Sequence, residues 1–225
     1  MVMTMRTGCL LMLLALGMIP APAGSADLNV GKEINEVCAG CHGEFGQGGK
    51  EGKYPRIAGQ PAAFIEKQMH LFRDRKRPNL PMLEHVDKRQ MPDQDIIDVS
   101  AYLATIELPT RLPPVDPGKF DAYERLLQTK KVLNIPRAEG DVEHGRALYN
   151  RECRSCHGKR GEGKVSQGFP MLAGQYTDYL WRQVDKYLDK VRIHDEDAPD
   201  DELLKEFTHE ELRDIFAYMS VVDDE

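Results

Sequence analysis

The sequence predicts an all-α protein made of two tandem copies of one small domain. A proline-rich linker carrying a single helix joins them. Three observations carry this prediction. The chain repeats itself: Cys38-Ala-Gly-Cys41-His42 returns as Cys153-Arg-Ser-Cys156-His157, shifted by 115 residues, and the same shift relates Pro55 to Pro170, Gly59-Gln60 to Gly174-Gln175, Gln68 to Gln183 and Arg77 to Arg192. A register kept over that length is an internal duplication. Apolar residues recur at helical spacing and no alternating strand pattern stands out. The third observation is size: 225 residues with 41% hydrophobic content suit two small units better than one large core.

The elements follow in order. Residues 1–26 carry one charge, Arg6, then an apolar run from Cys9 to Ile19 and the small residues Ala21 to Ala26. That is the layout of a cleavable secretory signal, cut after Ala23 or Ala26. The mature chain then keeps four cysteines and works in the periplasm. The first copy spans 27–106 and the second 141–225. Each reads as three helices: Lys32–Val37, Ala62–Arg75 and Gln94–Ile106, then Glu143–Glu152, Tyr176–Val191 and Glu210–Val221. Thr208 with Glu211 is a capping box for the last of these. The linker, 107–140, opens with Pro109, Pro113, Pro114 and Pro117, which block continuous helix. Phe120, Tyr123, Leu127 and Lys131 then fall on one helical face ending near Pro136, and the linker is expected to pack on one domain.

Several function classes drop out. A mean hydropathy of −0.51 and the lack of an apolar run near 18 residues argue against a span in the mature chain. A net charge of −7 argues against non-specific nucleic-acid binding. No phosphate loop or His-Glu-x-x-His motif is present.

What remains is the doubled Cys-x-x-Cys-His. Two cysteines three apart put both sulfurs on one side of a turn, which suits thioether attachment to the two vinyl groups of a haem. The adjacent histidine then points at the iron. A redox dithiol or half a zinc site would also use Cys-x-x-Cys. Neither explains the histidine after both motifs or the Pro-x-(Ile/Leu)-x-Gly that follows each copy. The sequence therefore predicts two covalently bound haem c groups, on Cys38 and Cys41 with His42 as axial ligand, and on Cys153 and Cys156 with His157 as axial ligand.

These motifs, with Gly-Gln, a later Lys-Gln-Met or Arg-Gln-Val helix and a last helix bearing Ala-Tyr, resemble tandem class I cytochrome c domains of the dihaem cytochrome c4 type. The resemblance covers both domains and not the linker. It implies that Pro55 and Pro170 offer a carbonyl to the proximal imidazoles. It also implies that Gly31 and Gly145 let the first helix cross the last near Tyr102 and Tyr218. Arg77 and Arg192 are propionate partners by chemistry.

The sixth ligands differ between the copies. Met82 is the first candidate in domain 1, Met91 the alternative and His85 the third. The corresponding segment of domain 2, Ile193 to Phe207, has no methionine. His194 falls there, so bis-histidine ligation through His157 and His194 is the expectation, against a surface histidine and a five-coordinate iron. Met171 and Met219 read as proximal-side and core residues. The function implied is one-electron transfer between redox partner proteins, a membrane oxidase, reductase or dehydrogenase. A dihaem enzyme using the second haem, or a haem subunit of a larger complex, is the rival. The acidic stretch Asp195–Glu202 is a candidate dock for a basic partner.

Overall fold

The computed structural model describes residues 25–49, 51–195, 198 and 202–223. The expected signal segment lies almost wholly outside the described residues, as do most of the acidic stretch and the end of the tail. Among the described residues the chain is helical, with two isolated β-bridges, Gly49 to Tyr54 and Lys164 to Phe169, at matching places in the two copies.

Domain 1 begins with α1 (Leu28–His42), whose first free N–H groups are capped by the Asp27 carboxylate. This helix starts earlier than the expected Lys32–Val37 and runs on through the Cys-x-x-Cys-His instead of stopping before it. It ends where Gly43 takes a positive φ. α2 (Ala62–Arg73) follows Pro61 and ends two residues earlier than expected. α3 (Leu80–Val86) is an addition to the expected three helices. Its Pro81 stands in the first turn, where a missing N–H costs nothing, and Asn79 caps it. α4 (Asp93–Ala104) closes the domain and packs across α1. Their crossing depends on Gly31, where a Cβ would overlap the Asp98 carbonyl and sit 2.8 Å from the Tyr102 Cβ.

The linker holds α5 (Ala122–Lys131), capped by Asp121 and ending short of the expected Pro136. The expectation that the linker packs on one domain needs correction. Leu133 is buried with Ala58 of domain 1 and with Leu108 at the start of the linker. It also lies against Gly174 of domain 2, and the Ala138 N–H donates to Ser220 Oγ. The strap after α5 therefore ties the two domains together.

Domain 2 repeats the plan with a break. α6 (Val142–Glu152) and α7 (Arg154–His157) replace the single α1. One extra residue between Gly145 and Cys153, compared with Gly31 to Cys38, accounts for the interruption. α8 (Thr177–Leu188) and α9 (His209–Met219) complete it, the latter with the Thr208–Glu211 capping box in place. A Cβ at Gly145 would overlap the Asp214 carbonyl, so this crossing is as close as that in domain 1. Each domain has its own apolar cluster, Ile65, Met69, Phe72, Ile96, Val99 and Leu103 in one, Leu148, Tyr149, Val184, Leu212, Ile215 and Met219 in the other.

Candidate haem sites and the interface between them

The two proximal histidines are built alike. His42 Nδ1 lies 2.9 Å from the Pro55 carbonyl and His157 Nδ1 lies 3.0 Å from that of Pro170. A carbonyl can only accept, so Nδ1 carries the proton and Nε2 keeps its lone pair for a metal. Burial lowers the proton affinity of both rings, and that of His157 falls to about 4, despite the hydrogen bond that opposes it. Both are neutral near pH 7.

The thiols discriminate between readings of Cys-x-x-Cys. Burial raises Cys38 above its ordinary range and pushes Cys153 up to about 11. Redox dithiols and thiolate metal sites work by the opposite shift. All four cysteines are unpaired. No group of three or more His, Cys, Asp or Glu side chains able to hold a metal occurs among the described residues. Two thiols on one turn beside a neutral imidazole fit thioether attachment to a macrocycle.

The distal side differs between domains. In domain 2 the His157 and His194 rings face each other with centroids 6.1 Å apart. Two metal–nitrogen bonds of about 2 Å each, plus the two half-rings, span such a gap. His194 stands edge-on to Tyr187, 5.1 Å between centroids. In domain 1, Met82 is half-buried on α3 beside Cys38 and the apolar cluster. Met91 is 7% exposed within the cluster itself, and its carbonyl accepts from Arg73. It occupies the place of Phe207, just before the last helix, as a packing residue. His85 lies exposed one turn beyond Met82, near enough to lower the His42 proton affinity further after burial. Met171 sits at the domain boundary and Met219 is 1% exposed in the core. Trp181 stacks on His209 at 4.5 Å and packs against Phe216.

Arg77 and Arg192, the expected propionate partners, are brought together by the fold. Arg77 donates to Gln68 at 2.7 Å and Gln183 at 3.0 Å. Arg192 donates to Gln183 at 2.7 Å and Gln68 at 3.2 Å. Tyr179 Oη accepts a further bond from Arg77. Each guanidinium is 8% exposed, and no carboxylate pairs with either among the described residues. Two buried cations held only by neutral groups call for negative charge. The carboxylates of haem propionates would supply it, so the residues fit the group.

A second reciprocal contact lies beside this one. The Gln60 amide donates to the Met171 carbonyl and accepts from its N–H, both at 2.9 Å. Gln175 does the same for Arg56, at 2.9 and 3.0 Å. Arg56 and Met171 directly follow Pro55 and Pro170, so each domain clamps the segment that orients the other's proximal histidine. Sequence reasoning saw these glutamines only as marks of the repeat.

Residues 29–107 and 142–223 each match the cytochrome c family model. The chain belongs to the cytochrome c family. It is 30% identical over 187 residues to cytochrome c4 of Pseudomonas aeruginosa, covering 83% of this chain and 84% of that one. It is 27% identical over 191 residues to a thiosulfate dehydrogenase electron acceptor of Stutzerimonas stutzeri, covering 83% and 79%. The crystal structure of reduced cytochrome c4 from Pseudomonas stutzeri superposes with a TM-score of 0.63 at 22% identity, over 87% of this chain and 98% of that one. This cytochrome is thus a dihaem electron carrier with two covalently bound haem c groups, one in each domain. No helix among the described residues is long and apolar enough to cross a membrane.

Proposed function

We propose that this cytochrome is a periplasmic one-electron carrier between respiratory donors and a terminal reductase or oxidase, with two haem sites of unequal potential. Covalent attachment is through Cys38 and Cys41 in one domain and Cys153 and Cys156 in the other. The axial ligands are His42 with Met82, and His157 with His194. When bound, haem supplies a reversible one-electron iron couple. The observation that supports the reading most is the 6.1 Å pairing of the His157 and His194 rings. A site closed on both faces by the chain's own side chains passes electrons and offers no open position to a substrate. Methionine ligation raises a potential relative to histidine, so an electron rests in domain 1. Arg77 and Arg192, with Gln68 and Gln183 fixing their direction, hold propionates from both sites at one place and bring the two centres into electrostatic contact.

A relative named as an electron acceptor of thiosulfate dehydrogenase favours a sulfur-compound dehydrogenase among the donors. The test is a redox titration of the purified holoprotein with turnover assays beside it. The expected result is two resolved one-electron steps and no consumption of peroxide or thiosulfate by the protein alone. Rapid peroxide turnover with cyanide binding at the second haem would overturn the carrier reading in favour of an enzyme.

A further inference from the structure

The duplication supplies an internal control for surface charge around the two haem attachment turns. The segment Arg151–Lys164 carries five basic and two acidic residues, a net of +3. The matching segment Glu36–Gly49 carries two acidic and no basic residues, a net of −2. The change falls at equivalent positions: Arg151 stands where domain 1 has Glu36, Arg154 where it has Ala39, Lys159 where it has Glu44 and Lys164 where it has Gly49. Nothing in the shared fold demands this, because domain 1 builds the same turn without those cations.

The cations of domain 2 are also available. Arg154 and Lys159 are exposed and form no ion pair among the described residues. The Arg160 guanidinium and the half-buried Lys164 ammonium donate to carbonyls, those of Val222 and Ser155. Of the two acids, Glu152 pairs with Arg151 at 2.5 Å, and the exposed Glu162 accepts the backbone N–H groups of Lys159 and Arg160, so the face keeps its net of +3 with both acids counted. In domain 1, Glu36 is exposed and Glu44 is exposed with Lys130 of the linker 3.7 Å away. The attaching thiols reach the surface here, with Cys41 exposed and Cys156 half-buried, so the edge of each macrocycle lies beside these charges.

We propose that the attachment face of domain 2, formed by Arg154, Lys159, Arg160 and Lys164 around Cys156, is a docking surface for an acidic redox protein. The matched face of domain 1 lacks this excess of positive charge, its two acids being offset only by Lys130 beside Glu44 and Lys131 over Phe45, so electrons exchanged with such a partner pass through domain 2. This inference rests on the dihaem reading. A net-acidic molecule thereby presents one basic window on one of its two redox centres, and steering by local charge decides which centre a partner meets first.

The experiment uses the full-length holoprotein and a small anionic probe, hexacyanoferrate(III), in stopped flow. Each event moves one electron from the reduced protein to the probe, whose iron goes from ferric to ferrous, with no bond made and no proton moved. Two charge variants assign the kinetic phases to domains without reference to axial ligands: Arg154→Glu with Lys159→Glu, and Glu36→Lys with Glu44→Lys. At low salt, roughly 10 mM, where screening is weak, the domain 2 variant is expected to slow one phase about tenfold. The domain 1 variant should speed the other phase, with visible spectra and midpoint potentials unchanged in both. In the wild type, the domain 2 phase should slow as salt rises. With two haems present, the absence of any phase slowed by the Arg154 and Lys159 double substitution, or a phase slowed by it that in the wild type speeds up with salt, overturns the docking proposal alone. A haem content below two per chain overturns the reading beneath it.

Discussion

The His194 and His157 rings lie 6.1 Å apart between centroids, tilted by 45°, and the proposed bis-histidine site makes His194 the side chain to test. His194→Ala should leave the haem covalently attached, since Cys153 and Cys156 are untouched, while converting that iron alone to a high-spin ferric signal. His194→Met should keep it low-spin and raise its midpoint potential by on the order of 100 mV, within the range that axial ligands command. Both are read by spectroelectrochemistry. Candidate covalent anchors and proximal histidines could be named from the sequence because Cys-x-x-Cys-His states its chemistry locally, and the lack of a methionine from Ile193 to Phe207 is read directly from the chain. The preference for Met82 over Met91 came from the family pattern, in which the ligand follows the basic residue closing the second helix, and from the place of Met91 just before Pro92. The burial of Met91 in the apolar cluster supports that preference.

At the scale of helices, the two crossings carry the fold. Gly145→Ala puts a methyl group against the Asp214 carbonyl, a backbone atom that cannot rotate away. The expected cost is about 3 kcal/mol, the upper end for overpacking, seen as a lower unfolding midpoint in denaturant. Thr208→Ala at the capping box should cost about 1 kcal/mol. The α6 N-terminus carries a pH-dependent contact, because His144 bonds the buried Asp214 at 2.9 Å, while Gln94 bonds the equivalent Asp98. His144 lies above its ordinary 6.5, raised first by that hydrogen bond. Asp214 lies below its ordinary 3.8, lowered first by the same bond. The Asp214 contribution is present above 3.8 and lost as pH falls through its lower folded value. The His144 contribution is present below 6.5 and lost as pH rises through its raised folded value. Thermal unfolding should thus show domain 2 best held between about pH 4 and 6.5, and Asp214→Asn should flatten that profile. The sequence located the major helices and misjudged their ends. It placed no helix between Arg75 and Gln94, where α3 is only seven residues long and starts with Pro81 in its first turn.

For the molecule as a whole, the interface is the part that sequence did not disclose. The 115-residue register showed that Gln60, Gln68 and Arg77 recur as Gln175, Gln183 and Arg192. It did not show that each set meets its own copy about a pseudo-two-fold axis. Pairing of that kind is a property of surfaces in three dimensions, and identical residues in two copies are equally compatible with faces that never meet. The net charge of −7 likewise concealed the basic collar of domain 2. The reciprocal clamp predicts a crossed effect: Gln60→Ala, a substitution in domain 1, should shift the potential and spectrum of the domain 2 haem, because it frees Met171 and with it the Pro170 carbonyl that orients His157. An effect confined to the domain 1 haem would contradict the clamp.

The central claim is that the two sites are both six-coordinate and unequal, His42/Met82 and His157/His194. Low-temperature EPR of the fully ferric holoprotein, with its near-infrared charge-transfer bands, tests it most directly. The account predicts two low-spin signals of equal intensity, one of histidine–methionine type and one of bis-histidine type, and no high-spin component. Two histidine–methionine signals, or a high-spin signal amounting to one haem per chain, would contradict it.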